Sequence, residues 1–66
     1  MFKNPRLTAK EAESLLLQSG FILLRSKGSH RIYQREQEKI VIPFHQGKIL
    51  HPKIVKQVME AVEGRE

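Results

Sequence analysis

No cysteine occurs anywhere in the 66 residues, and this absence constrains the fold more than any motif does. With no disulfide framework, zinc ribbon or thiol nucleophile available, the chain has to rest on a packed apolar core. A chain of this length buries only about 60% of the surface its unfolded form exposes. One small domain over residues 1–66 is therefore expected, and a large enzyme with its own cofactor domain is excluded. The longest apolar runs, residues 15–17 and 21–24, fall far short of the ~20 residues a membrane span requires. No signal-peptide pattern opens the sequence. A cytoplasmic protein without a membrane segment is the resulting expectation.

The apolar core has to come from five short segments. Thr8-Ala9-Lys10-Glu11 fits a capping box and predicts a helix over residues 9–19, with Ala12, Leu15, Leu16 and Ser19 on one face. Gly20 supplies the left-handed residue that commonly ends a helix. Residues 21–25 and 31–33 read as strands around a turn at residues 26–29, giving a β-hairpin. After the polar break at residues 36–38, residues 39–42 form a third strand that Pro43 ends. A loop containing Gly47 follows, and Pro52 occupies the first turn of a helix over residues 52–63. Val55, Val58, Met59 and Val62 share one face of that helix, with Ile54 beside them. Residues 1–6 and 64–66 are expected to be loose ends.

A three-stranded antiparallel sheet this small needs an apolar face covered, and two amphipathic helices suffice for one face. The expected fold class is α+β, an α-β-β-β-α arrangement with both helices on one face of the sheet. Its other face stays open. This element order is the outline of a double-stranded-RNA-binding-like fold.

The net charge of +5 is concentrated. Residues 25–56 hold eight Lys and Arg (Arg25, Lys27, Arg31, Arg35, Lys39, Lys48, Lys53 and Lys56) against only Glu36 and Glu38. A field of this kind attracts polyanions, which makes nucleic acid the leading partner class, with a solvated basic surface the plain alternative. Tyr33 is available to stack a base on an open sheet face, or to pack across strands.

Three histidines carry the candidate chemistry. His30 follows Gly28-Ser29 at the passage from the first strand to the second, flanked by Lys27 and Arg31. Imidazole titrates near neutrality and can take a proton from a ribose 2′-hydroxyl, or give one to a leaving 5′-oxygen, without a metal. Neighbouring cations would bind the scissile phosphate and stabilise its developing charge. The alternative is a histidine that only caps the turn. Strand parity puts His30 on the side of Ile32, so a core Ile32 would leave His30 at the rim unless a bulge near Gly28 re-aimed it. Gly28 permits an unusual backbone angle or a close phosphate approach, and Ser29 hydrogen-bonds within the turn. His45 can hold a phosphate together with Lys48, and His51 reads as a helix-start residue. The spacings of the three histidines match no compact zinc motif, and the chain has no Asp, so neither metal nor cofactor is expected.

These residues together resemble the HicA (YcfA-like) mRNA interferase toxins of toxin–antitoxin systems. The resemblance runs through Gly20-Phe21, Arg25-Ser26-Lys27-Gly28-Ser29-His30-Arg31-Ile32-Tyr33, Ile40-Val41-Ile42-Pro43-Phe44-His45, Lys48 and Val55-Lys56-Gln57-Val58-Met59. It implies a double-stranded-RNA-binding-like fold and metal-independent endoribonuclease activity on mRNA. It also implies one catalytic histidine, His30 here, and a HicB-type antitoxin that covers the active face. Many members enter the last helix through a Gly-Thr pair, where this chain has His51-Pro52-Lys53-Ile54. A non-catalytic RNA-binding module using the same basic face is the rival reading.

Overall fold

In the computed structural model, which describes residues 6–45 and 48–63, the elements follow in the order α1 (Ala9–Gln18), β1 (Ile22–Lys27), β2 (His30–Arg35), β3 (Glu38–Pro43) and α2 (Pro52–Val62). Gly47 and most of the expected loose ends lie outside the described residues; Arg6 is described and exposed.

Local chemistry sets both ends of α1. The Thr8 hydroxyl accepts from the Glu11 amide at 3.3 Å, and the Glu11 carboxylate accepts from the Thr8 amide at 2.9 Å, completing the capping box. At the other end Gly20 adopts φ +98°, while the Phe21 amide donates to the Leu16 carbonyl and the Gly20 amide to that of Leu17. This is a Schellman termination, in which a left-handed residue lets the chain turn back and satisfy the last carbonyls. The second helix starts at Pro52, with the preceding His51 as N-cap accepting from the Lys53 amide through Nδ1 at 3.1 Å.

The sheet is antiparallel in the order β1-β2-β3. Its first hairpin turns through Gly28-Ser29 alone, tighter than the four-residue turn expected, with Gly28 at φ +59°. A two-residue hairpin of this kind favours glycine at its first position. The second hairpin turns through Glu36-Gln37, where Glu36 takes a positive φ of 54°.

Both helices cover one face of the sheet. Ala9, Ala12 and Leu16 from α1 meet Val55, Val58 and Ala61 from α2 over Tyr33, Ile40 and Ile42, with Leu7, Phe21 and Leu50 closing the margins. Tyr33 is fully buried here, so it packs against the helices, and base stacking on the open face is not its role. Its hydroxyl donates to the Glu13 carboxylate, which also receives Arg31 Nη1 at 2.9 Å. Arg35 serves the far end: its guanidinium donates to the carbonyls of Ser19 and Ala61 at 2.9 and 3.2 Å, close to the C-terminal ends of both helices. A cation is favourable there because it meets unpaired carbonyls and the negative end of each helix dipole. No described helix is long and apolar enough to cross a membrane.

Thr8→Ala should lower stability by about 1 kcal/mol by removing the cap. Thermal unfolding should show this as a fall of about 4–8 °C for a domain of this size. Burial, reinforced by the Glu13 carboxylate, raises the Tyr33 phenol above its ordinary value of 10.0. The folded state thus holds this proton more tightly than the unfolded chain does. The resulting stability is complete below pH about 10 and is lost as the pH climbs through the folded value. Between pH 9 and 11 the wild type should lose about 1 kcal/mol more than Tyr33→Phe in denaturant titrations.

Candidate RNA-cleaving face and neighbouring cleft

Paired residues of an antiparallel sheet share a face. Tyr33 pairs with Ile40 and Arg31 with Ile42 on the helix side, so His30 with Pro43, Ile32 with Val41, and Gln34 with Lys39 belong to the open side. Parity thus acts in favour of His30. Since Tyr33 is the inward residue, the imidazole stands exposed at the start of β2, facing away from both helices.

The first strand contributes its cations through an irregularity. Ile22 and Leu23 pair with Gln34 and Tyr33, but Arg25 rather than Leu24 pairs with Ile32, so Leu24 is the extra residue of a bulge. Beyond this bulge Arg25 falls opposite Ile32 and Lys27 opposite His30. In an unbroken register Leu24 and Ser26 would occupy those places, and both cations would sit on the other face. A bulge near Gly28 is needed to re-aim His30 only if Ile32 is core, and Ile32 faces the open side with His30. The bulge lies at Leu24 instead, and it re-aims Arg25 and Lys27. Nothing in the sequence sets Arg25 apart as a site residue, because residues 21–24 are uniformly apolar and give no alternation that could reveal a slip.

The remaining residues divide between two places. Ser29 accepts from the Phe44 amide through its carbonyl at 2.6 Å, which continues the β2–β3 pairing past Pro43. A Cβ at Gly28 would meet open space, so the positive φ, rather than crowding, accounts for glycine there. The Arg31 side chain turns to the helix side, where it pairs with Glu13 and lies over the Phe44 ring at 4.1 Å. It is therefore set apart from His30 across the thickness of the sheet, and its guanidinium is held protonated more firmly by the Glu13 carboxylate.

His45 and Lys48 line a cleft of about 180 Å³ between the end of β3 and the start of α2. His51 lines it too, beside its part as helix cap. Pro43 joins the two places, since it pairs with His30 and also forms a wall of the cleft. The three histidines do not converge, and no group of three metal-ligating side chains occurs among the described residues.

The open face thus combines an exposed imidazole, two cations directed by the bulge, and the apolar side chains of Ile22, Ile32 and Val41. No ion pair engages Arg25 or Lys27 among the described residues. Such a surface can hold a phosphate backbone beside a proton carrier. No curated protein and no solved structure matches the chain. A family model described as HicA toxin of bacterial toxin–antitoxin systems does match, over residues 9–63, from the first residue of α1 to the cap of α2. The chain belongs to the HicA toxin family.

Proposed function

We propose that this toxin is a metal-independent endoribonuclease that cuts mRNA with His30 as its catalytic residue. The observation that carries this reading is the exposed His30 imidazole directly across from Lys27 on the uncovered sheet face. In the reaction His30 accepts the proton of a ribose 2′-hydroxyl, whose oxygen attacks the adjacent phosphorus. The bond from phosphorus to the 5′-oxygen breaks as that oxygen takes a proton from solvent water and leaves as an alcohol. Lys27 and Arg25 hold the phosphate and offset the charge that develops on it. Gly28 and Ser29 present His30 through the tight turn. Lys48 and His45 bind the strand beyond Pro43, and Arg31 adds to the field around the site from behind the sheet.

The family carries an antitoxin partner. A HicB-type antitoxin is the natural cover for the open face, where Ile22 and Val41 are exposed between cations. The whole chain acts as one HicA-like domain in the cytoplasm, where its mRNA substrate is found.

The test is cleavage of a defined single-stranded RNA in EDTA by the wild type and by His30→Ala, each freed of antitoxin. Wild type should cut, leaving 2′,3′-cyclic phosphate and 5′-hydroxyl ends. His30→Ala should lose at least about a hundredfold in rate, within the usual contribution of a general base, while its RNA affinity changes little. Ends carrying 5′-phosphate would rule out the 2′-hydroxyl as nucleophile. If both proteins bound RNA and neither cut it, the non-catalytic binding module would replace the nuclease.

A further inference from the structure

The cleft beside His30 is lined by both apolar and polar side chains. Its walls include Pro43, Ile49 and Ile54, while the polar groups His45, Lys48 and His51 share the lining with them. A planar ring with apolar faces and a polar edge matches both parts of the lining. At about 180 Å³ the cleft is smaller than the roughly 300–1,000 Å³ of a typical small-molecule site, so one ring system fits its scale better than a whole nucleotide does.

The hydrogen-bonding character of the lining narrows the occupant. Nδ1 of His51 accepts from the Lys53 amide at 3.1 Å, so in the neutral ring the proton sits on Nε2, and the other edge of the imidazole is a donor. The Lys48 ammonium only donates. Lys48 and His51 thus bring two donors to the lining of one small cleft, beside His45. Guanine offers adjacent acceptors, O6 and N7, on one edge, whereas adenine places its N6 amino donor beside N7. Position sets the place in the substrate. Pro43 is the cross-strand partner of His30, so a base in the cleft belongs to a nucleotide flanking the phosphate held at His30.

We infer that the cleft between β3 and α2 is a guanine-binding subsite, in which Lys48 and the Nε2–H of His51 donate to O6 and N7 of a base next to the cut. This rests on the proposal that the open face binds RNA, and it adds a base preference to that face. His51 thereby serves twice, its Nδ1 capping the helix while its Nε2 reads the base.

The test uses the full chain carrying His30→Ala, to prevent turnover, and three pentanucleotide RNAs that differ only at the centre: UUGUU, UUAUU and UUIUU, where I is inosine. Affinity and amide shifts at Ile49 and Ile54 are followed by NMR titration. The guanine oligomer should bind about tenfold more tightly than the adenine one, the scale of one good two-donor contact. Inosine, which keeps O6 and N7 but lacks the 2-amino group, should bind like guanine, and Ile49 and Ile54 should shift with both. Added to the same chain, His51→Ser keeps a good N-cap residue while removing the imidazole. It should leave helix content unchanged and reduce the guanine-to-adenine ratio to about twofold or less.

Equal affinity for all three oligomers, inosine behaving as adenine, or shifts confined to β1 and β2 would each overturn the subsite. The EDTA cleavage assay reports separately. Cleavage without a base preference would remove the subsite and leave the nuclease. A base preference at Ile49 and Ile54 in a protein whose wild type does not cut would keep the subsite and remove the nuclease.

Discussion

The hydroxyl of Tyr33 donates to the Glu13 carboxylate beneath α1, and the direction in which β2 presents its side chains follows from that contact. Burying so large an aromatic places its ring among the helices, but its polar tip would cost about 1–3 kcal/mol if it were left without a partner. Glu13 meets that requirement on one side of the strand only. Because side chains alternate with a period of two, an inward Tyr33 sends Ile32 and Gln34 outward, and His30 with them. A slip of one residue would turn His30 toward the helix layer. The proposed chemistry on one face therefore depends on a hydrogen bond made on the other.

The same two-sidedness changes the meaning of the positive charge. Eight cations between residues 25 and 56 suggest a single field, yet the fold gives them different roles. Arg31 is engaged by Glu13 and Phe44, and Arg35 by Glu38 and the carbonyls near two helix ends, with its guanidinium 4.5 Å from the centre of the Phe21 ring. Both belong to the structure of the helix side. The bulge at Leu24 brings Arg25 and Lys27 to the open side, where no carboxylate among the described residues pairs with them. The positive surface beside His30 thus follows from the strand's irregularity rather than from the number of basic residues.

Where one residue's own chemistry decides the conformation, the structure is legible in the sequence. Thr8 with Glu11, Gly20 and Pro52 mark helix ends through hydroxyl capping, left-handed backbone and a missing amide proton, and each end falls within a residue or so of its expected place. Face assignment is harder, because Ile32 and Tyr33 are both apolar and either could turn inward. Only the helix layer, through Glu13, separates them. The bulge leaves no trace in an unbroken apolar run. The cleft is invisible for a different reason: Pro43, Lys48 and His51 are brought together by the path of the chain between β3 and α2. At the α2 side of this stretch the Leu50 amide donates to the Leu7 carbonyl at 2.8 Å, a contact between residues 43 positions apart. His30 itself stands out through its own neighbours and through the family resemblance, which spacing alone does not supply.

An open sheet face carrying exposed Ile22 and Val41 is a cost that a 66-residue protein would normally avoid. Covering it with a third helix would bury those side chains and would also bury His30. The proposed RNA-binding surface cannot be closed permanently, so its cover has to come from a partner that can leave. An antitoxin seated on Ile22, Ile32 and Val41 would exclude RNA from the same area, and by linkage each partner would weaken the other's binding by the same factor. The toxin then needs no moving part of its own. The proposed competition follows from leaving one face of a very small sheet uncovered, with its cations set around an apolar centre.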